Sequence, residues 1–260
     1  MRAIWSGSLS FGLINIPVKI YSASKDRALK FRMLDKKNLC PIGYSYICKN
    51  DNKTVSYDEI VRGYEFQKGE FVVLEDEDFK KANVRKTKTI EVIHFTETRS
   101  ISSKYYDKPY YIEPDQRSQK AYVLLRDTLK KLKRSAVASF VFKDRERIGI
   151  IKPDKDVLLL NQLRFEEEIR KPEGLSIPVS VNYSKKELEM AVNLVRQLTE
   201  PFKISNFKDT YTKELERVIE EKSKGKKPTA KGTAPKYTQG ADLMALLKKS
   251  LEKEKKAHRL

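Results

Sequence analysis

The chain has 260 residues, 39% hydrophobic and 35% charged, so it is long enough and apolar enough to bury a sizeable core. Its 54 Lys and Arg exceed its 36 Asp and Glu, and the formal net charge of +18 favours a polyanionic partner such as nucleic acid. No apolar run approaches the roughly 20 residues that span a bilayer, and no signal-peptide pattern opens the chain. Two cysteines fit a reducing compartment. We therefore expect a cytoplasmic protein with no membrane partner.

The positive charge is unevenly distributed along the chain. Residues 222–260 hold 12 Lys and Arg against 3 Asp and Glu, which is +9 and half of the net charge. Residues 25–62 hold 9 basic and 5 acidic side chains, and residues 126–155 hold 10 and 4. We expect basic faces on a folded body, followed by a basic tail.

The first elements are β-strands. Ile14, Ile16, Val18 and Ile20 alternate with polar residues, which is typical of a half-buried strand. An earlier alternation has the opposite phase, and the phase changes beside Gly12, which predicts a bulge or a sharp bend. Bent strands of this kind favour a sheet that curls towards a barrel.

The middle of the chain continues as hairpins, short helices and strands. Alternation and turn residues predict a hairpin over 42–57 and a second over 64–74, with its turn at Gly69. Short helices are expected over 57–63 and 75–83, and a longer amphipathic helix over 121–132. The remaining strands are predicted at 89–97, 135–143, 147–151 and 156–165.

Beyond Pro178 the pattern becomes helical. Ser184 and Glu187 form a capping box, and a stripe from Leu188 to Leu198 is expected to be buried. A second helix covers 211–219, and the polar segment 222–236 is typical of a linker. The last helix is amphipathic, and its apolar side is a predicted partner-binding surface consisting of Leu243, Leu246, Leu247 and Leu251.

Catalytic and metal-binding patterns are weak. The chain lacks the phosphate-loop, dinucleotide, zinc-protease and nucleophile-elbow motifs. Of two histidines, His94 lies in a strand pattern and is expected to be a packed core or barrel residue. The acids at 75–78 fit the first turn of a helix better than a metal site. Cys40 and Cys48 lack two further zinc ligands nearby. We expect no catalytic residue, no metal and no cofactor.

Basic residues interleaved with aromatic residues form diffuse candidates for DNA binding. No helix-turn-helix, zinc-finger or RNA-recognition pattern accompanies them, which favours contacts to phosphates over readout of bases. The candidate DNA-binding residues are Lys30, Arg32, Lys36, Lys37, Lys49, Lys53, Arg99, Lys104, Lys108, Arg145 and Arg147.

Six stretches, in order and spanning nearly the whole chain, resemble the bacterial Ku family. They are "IWSGSLSFGLINIPVKIYSA", "YDEIVRGYEFQKGEFVVLEDEDF", "YYIEPD", "YVLLRDTL", "FKDTYTKELERVIEEKSKG" and "DLMALLKKSLE". The resemblance implies an α+β, mainly β fold: a Ku-like β-barrel with an arched, DNA-encircling insertion and a helical C-terminal arm. It divides the chain into a core at 1–180 with the arch at about 28–62, an arm at 181–222, a flexible basic linker at 223–240, and an amphipathic helix with basic tail at 241–260.

The resemblance also implies a function. Ku proteins bind double-stranded DNA ends in non-homologous end joining, and the bacterial form is a homodimeric ring that recruits an ATP-dependent DNA ligase. We therefore expect a non-enzymatic, sequence-independent, nucleoid-associated protein that protects ends, with DNA contacts in the arch and near 99–108. Two alternatives stay open: an architectural nucleic-acid-binding protein without end preference, and a metal-dependent nuclease that uses the acids at 75–78.

Overall fold

The computed structural model describes residues 1–82, 88–143, 145–227 and 246–250. The chain divides into two compact units, Met1–Pro172 and Glu173–Leu260. Among the described residues, the first unit contains a closed seven-stranded β-barrel, two small two-stranded sheets and two α-helices of 7 and 14 residues, and the second contains two α-helices of 13 and 14 residues. The expected α+β, mainly β barrel fold is thus confirmed.

The helices and strands have the following bounds. The strands are β1 (Trp5–Phe11), β2 (Ile14–Ser22), β3 (Tyr46–Ile47), β4 (Thr54–Val55), β5 (Arg62–Gln67), β6 (Glu70–Leu74), β7 (Thr89–Glu97), β8 (Tyr106–Pro114), β9 (Arg134–Phe142), β10 (Arg145–Asp154) and β11 (Val157–Leu163). The helices are α1 (Asp76–Ala82), α2 (Gln119–Leu132), α3 (Lys185–Gln197) and α4 (Thr210–Ser223).

The barrel has the strand order β1-β2-β8-β11-β10-β9-β7. Neighbouring strands are antiparallel except at the closure, where β1 pairs in parallel with β7 through Ser8 and Thr89. A parallel pair needs a long connection between its strands. Here the connection runs through β2 and the 23–88 segment, which we call the insertion.

The alternation in β2 gives the barrel its first buried face. Ile16, Val18 and Ile20 are buried and alternate with exposed neighbours. The change of phase predicted beside Gly12 is a tight hairpin turn, in which Phe11 pairs with Ile14 and Gly12 has φ +58°. Glycine adopts this left-handed conformation without steric cost, so the sharp bend was the correct alternative.

Helix α2 closes one end of the barrel core. Tyr122, Leu125 and Leu129 are buried in the same apolar cluster as the barrel strands. The Tyr122 hydroxyl donates to the Ile112 carbonyl at 2.8 Å and accepts from the Leu158 backbone N–H at 2.6 Å. The helix is therefore attached both to β8 and to β11.

The strand pairing defines two ends of the barrel. Strand β2 finishes and β7 begins at the end from which the insertion leaves, and we call this the insertion end. Register places the starts of β8 and β10 there as well. The opposite end, beside α2, holds the ends of β7 and β10 and the start of β9, and we call it the helix end.

Two local predictions on the first unit need correction, and one strand was missed. Residues 57–63 form only one 3₁₀ turn, Tyr57–Glu59, before β5 begins at Arg62. Strand β8 was not predicted, because prolines at 109 and 114 lower strand propensity. His94 lies on a barrel strand but is exposed, beside an irregularity in the pairing of β7 with β9.

The second unit begins its helices as the sequence indicates. The Ser184 hydroxyl accepts from the Glu187 backbone N–H at 3.2 Å, and the Glu187 carboxylate accepts from the Ser184 backbone N–H, completing the capping box. The Ser184 backbone N–H and then the Ser184 hydroxyl, which both donate to the Glu187 carboxylate, hold the pKa of Glu187 below its usual value. The α3 stripe predicted to be buried is not: Leu188, Val195 and Leu198 are exposed in the single chain.

No helix among the described residues is long and apolar enough to cross a bilayer.

Candidate nucleic-acid interface

The insertion is an exposed segment of the first unit. It contains β3, β4, β5, β6 and α1, and it includes the predicted arch at about 28–62. No residue from 23 to 79 is buried. Its two hairpin sheets have two strands each, and such sheets are only marginally stable alone in water. The insertion is thus built to contact something beyond its own chain.

The first basic tip of the insertion is the loop 33–42. Leu34 and Pro41 form a β-bridge, and the Asp35 backbone N–H donates to the Cys40 carbonyl at 2.9 Å, which closes the loop. Lys36 and Lys37 lie at its tip, with the Lys37 backbone N–H held by the Asp35 carboxylate at 2.9 Å. Lys30 and Arg32 precede the loop in a segment without regular secondary structure, and all four cationic side chains are exposed.

The second basic tip is the β3–β4 turn, which carries Lys49 and Lys53. The Asn52 backbone N–H donates to the Cys48 carbonyl, and Asn52 takes φ +56°, which makes the turn tight. Lys53 Nζ lies 3.2 Å from Asp51 Oδ2. Hydrogen bonds from the Lys53 backbone and then from the Cys48 side chain lower the pKa of Asp51. Both tips therefore present lysines on turns that are closed by backbone hydrogen bonds.

Two of the acids at 75–78, Asp76 and Asp78, have structural partners. The Asp78 carboxylate accepts from the Glu75 backbone N–H at 3.0 Å, which caps the start of α1. Asp76 Oδ1 accepts from Arg62 Nη2 at 2.5 Å, and the Arg62 guanidinium lies 4.4 Å from the Phe79 ring centroid. Among the described residues, no group of three or more His, Cys, Asp or Glu side chains is arranged to hold a metal ion.

The predicted contact region near 99–108 is spread along the barrel. Arg99 follows β7 at the helix end, where its Nε lies 3.4 Å from Glu97 Oε2. Lys104 Nζ lies 5.0 Å from the Tyr105 ring centroid. Lys108 lies on β8 at the insertion end, next to Pro109, whose carbonyl accepts from the Ala23 backbone N–H. Of the three, Lys108 is the one directly beside the root of the insertion.

Arg145 and Arg147 open β10 at the insertion end. Arg145 is exposed, whereas Arg147 is half-buried and pairs in register with Phe140, a core residue of the barrel interior. Its Nε is buried and has no hydrogen-bond partner within the described part of the chain. Arg147 thus faces the mouth of the barrel, which the sequence pattern did not indicate.

A polar network lies at the same mouth and was not anticipated from the sequence. The Tyr110 hydroxyl contacts Gln162 Oε1 at 3.5 Å, and Gln162 Nε2 donates to Asp107 Oδ2 at 3.0 Å. Arg164 Nη2 donates to Asp107 Oδ1 at 2.8 Å. Burial, followed by the Asp107 charge, raises the pKa of Tyr110, and Arg147 opposes this shift. The network connects β8 with β11 beside the root of the insertion.

The structure describes only two of the four predicted partner-binding leucines. Leu246 and Leu247 lie in a helical segment at 246–250, where Leu246 is exposed. Leu243 and Leu251 lie outside the described residues, as does most of the predicted linker at 223–240 and of the helix and tail at 241–260.

A closed barrel with an exposed, basic insertion is a scaffold suited to contacting a polyanion along its backbone. Comparison with known proteins gives the family. The family described as "Ku: Ku70/Ku80 beta-barrel domain" matches residues 10–190. The chain belongs to the Ku family, and its relatives connect it with DNA repair by non-homologous end joining.

Three curated relatives carry the name "Non-homologous end joining protein Ku". The one from Opitutus terrae is 38% identical, covering 96% of this chain and 91% of its own length. Those from Pseudomonas aeruginosa and Bacillus subtilis are 35% and 32% identical, covering 96% and 100% of this chain and 88% and 84% of theirs. Among solved structures, the SPOC domain of human PHD-finger protein 3 aligns at 12% identity with a TM-score of 0.30, covering 62% of this chain and 95% of its own. That likeness is too low to inform function.

Proposed function

We propose that the protein is a non-enzymatic clamp for double-stranded DNA ends in non-homologous end joining. Two copies form a ring, and the ring admits a duplex only where a free end exists. The observation that carries the proposal is the insertion, whose basic tips are exposed on a segment without buried residues from 23 to 79. Membership of the Ku family supports the same function.

The proposed contacts are with phosphates and not with bases. Lys30, Arg32, Lys36, Lys37, Lys49 and Lys53 would contribute from the insertion, and Lys108, Arg145 and Arg147 from the adjoining barrel end. Lysine and arginine on turns neutralise phosphates regardless of sequence, and the binding they provide weakens as salt rises. Arg99 and Lys104 belong to the proposed set, although Arg99 is at the helix end and already contacts Glu97.

The experiment is a competition between linear and closed circular forms of one plasmid for binding to the protein, with a short labelled duplex as the probe. An end clamp is displaced by the linear form and only weakly by the closed circle. An architectural DNA-binding protein without end preference would be displaced equally by both forms, because they have the same length. Cleavage of the probe in the presence of a divalent metal would instead indicate the nuclease alternative.

The ring requires a homodimer, and the exposed stripe of α3 is a proposed part of its interface. Leu188, Val195 and Leu198 form an apolar face that a single chain leaves in water. Since two-fold symmetry makes each chain present the same surface, we expect a stable dimer in the absence of DNA. Sedimentation of Leu188→Asp/Val195→Asp should show monomers, whereas Glu189→Lys, at an exposed site on the same helix, should remain dimeric. A wild-type monomer at micromolar concentration would contradict the ring.

Recruitment of an ATP-dependent DNA ligase is proposed for the C-terminal helix. Leu243, Leu246, Leu247 and Leu251 recur on one side of that sequence, and a helix of this length is marginal alone in water. Deletion of residues 237–260 should leave end binding intact and reduce stimulation of ligation. If ligation is unaffected, the recruiting surface lies elsewhere. The proposed setting is the cytoplasm, on the nucleoid.

A further inference from the structure

A second basic surface lies at the helix end of the barrel, away from the root of the insertion. It is a recess of about 560 Å³ between the end of β7, the end of α2, the start of β9 and the end of β10. Leu129, Leu132 and Pro153 contribute apolar atoms to it. Five cationic side chains line it, with one carboxylate, that of Glu97. The five are Arg99, Lys130, Lys133, Arg134 and Lys152.

The single carboxylate holds the two arginines in place. Glu97 Oε1 lies 2.8 Å from Arg134 Nη1, and Glu97 Oε2 lies 3.4 Å from Arg99 Nε. No ion pair within the described ranges involves Lys130, Lys133 or Lys152. Lys152 Nζ instead lies 5.5 Å from the Tyr106 ring centroid. The recess therefore has an uncompensated excess of positive charge.

The helix dipole explains only part of this charge. Lys130 and Lys133 lie at the C-terminal end of α2, where cations are favourable. Arg99, Arg134 and Lys152 come from three other elements, and that dipole does not account for their presence. Like charges that converge on one recess repel each other, so this arrangement is stabilised when an anion enters.

We propose that this recess binds a small anion with two or more phosphate groups, of the kind found in inorganic triphosphate and in nucleoside triphosphates. Arginine binds phosphate through a two-pronged fork and lysine as a point charge, and the recess contains both. Its volume lies within the ~300–1,000 Å³ of small-molecule sites. A concave site of this size suits a compact polyanion better than the convex backbone of a duplex. The inference goes beyond the end-binding function, because the recess uses none of the insertion and shares only Arg99 with the proposed DNA-contact residues.

The test is binding of inorganic triphosphate to the full chain, measured by calorimetry and by the rise in melting temperature. Lysines whose surroundings are the same in the folded and unfolded chain bind the anion in both states and leave the melting temperature unchanged. A site assembled from four elements exists only in the folded state, so triphosphate should raise the melting temperature. A parallel titration with ATP distinguishes inorganic triphosphate from a nucleoside triphosphate as the anion. If ATP and triphosphate bind with equal affinity, the phosphates alone are recognised. If ATP binds more tightly, the recess also contacts the nucleoside.

The decisive variant is Lys130→Gln/Lys152→Gln, which removes two cations that lack ion pairs with the described residues. The matched control is Lys120→Gln/Lys131→Gln, which removes the same charge from exposed positions on α2 outside the recess. We expect at least about tenfold weaker triphosphate binding for the first variant, with a smaller thermal shift, and wild-type behaviour for the control. Without ligand, the melting temperature of the first variant should lie only slightly below that of the control, because Lys130 is exposed and half-buried Lys152 loses its contact with the Tyr106 ring.

Equal loss in the two variants, or no thermal shift with wild type, would overturn the proposal. So would a result in which triphosphate does not bind and the first variant loses affinity for duplex DNA, because the recess would then be a DNA contact.

Discussion

The barrel and the insertion belong to the same compact unit but are constructed in opposite ways. The barrel closes its sheet and fills the interior with side chains such as Leu9, Ile151 and Leu160, each fully buried. The insertion has no buried residue from 23 to 79 and places its apolar side chains in water. The barrel is therefore stable through its own core, whereas the insertion is adapted to contact other molecules. Substitutions that are costly in one region should be tolerated in the other.

The largest difference is expected for truncation of large side chains. Leu160 is fully buried, and Leu160→Ala should lower the free energy of unfolding by about 2–5 kcal/mol through lost burial and a residual cavity. Tyr44, 89% exposed, is the counterpart, and Tyr44→Ala should change stability by no more than about 0.5 kcal/mol. Chemical denaturation measures both. Equal losses would mean that the insertion has a packed core of its own.

Glycine substitutions sharpen the same comparison. A Cβ at Gly149 would lie 2.8 Å from Leu160 Cδ1 and 3.1 Å from both the Asn161 carbonyl oxygen and Phe140 Cε1. Gly149→Ala should therefore cost about 1–3 kcal/mol through overpacking. A Cβ at Gly43 would meet no atom of the described residues within 4 Å, so Gly43→Ala should be nearly neutral. Thermal melts of the two variants provide the test, and a neutral Gly149→Ala would show that the interior of the barrel has room to adjust.

The insertion should show the converse pattern, with a change in DNA binding and none in stability. Arg32→Glu/Lys36→Glu/Lys37→Glu reverses three exposed charges at the first tip. Affinity for every duplex sequence should fall about equally, at least about tenfold, and each lost phosphate contact should reduce the slope of log affinity against log salt by ~0.9. Fluorescence anisotropy at several salt concentrations measures this.

The control for that variant is Lys120→Glu/Lys131→Glu/Lys213→Glu, which makes the same change in net charge at exposed sites outside the insertion. If both triple variants lose the same affinity, net charge and not the insertion determines binding.

The smallest expected effect belongs to the second tip. Lys49→Gln should reduce the salt slope by ~0.9 and leave stability unchanged. Lys53→Gln also breaks the exposed pair with Asp51, which is worth about 0–1 kcal/mol. A loss of DNA binding for Lys53→Gln alone would indicate that Lys49 points away from the duplex.

The sequence predicted the elements with local signals and missed those that depend on distant pairing. Alternation located β2, Gly69 located the β5–β6 turn, and Ser184 with Glu187 located the start of α3. Strand β8 contains two prolines, and it is stable because β2 and β11 pair on its two sides. The parallel closure of β1 with β7 leaves no periodic signal at all.

The candidate site was predictable in composition but not in placement. Interleaved charges indicated the two tips of the insertion, because exposed lysines beside turn residues are visible in the sequence. Arg147 was indistinguishable from its exposed neighbour Arg145, because its direction follows from the barrel register with Phe140. The α3 stripe has the spacing of a buried face, and the sequence does not reveal whether its own chain or another covers it.

The central claim is that DNA passes through a closed ring, and the most direct measurement is a trapping experiment. The protein is loaded on a linear plasmid, the ends are joined by an added ligase, and the complex is challenged with high salt. The expected result is retention on the closed circle and release when a restriction enzyme reopens it, because salt weakens phosphate contacts but does not open a topological link. Release from the circle as fast as from the linear form would contradict the ring.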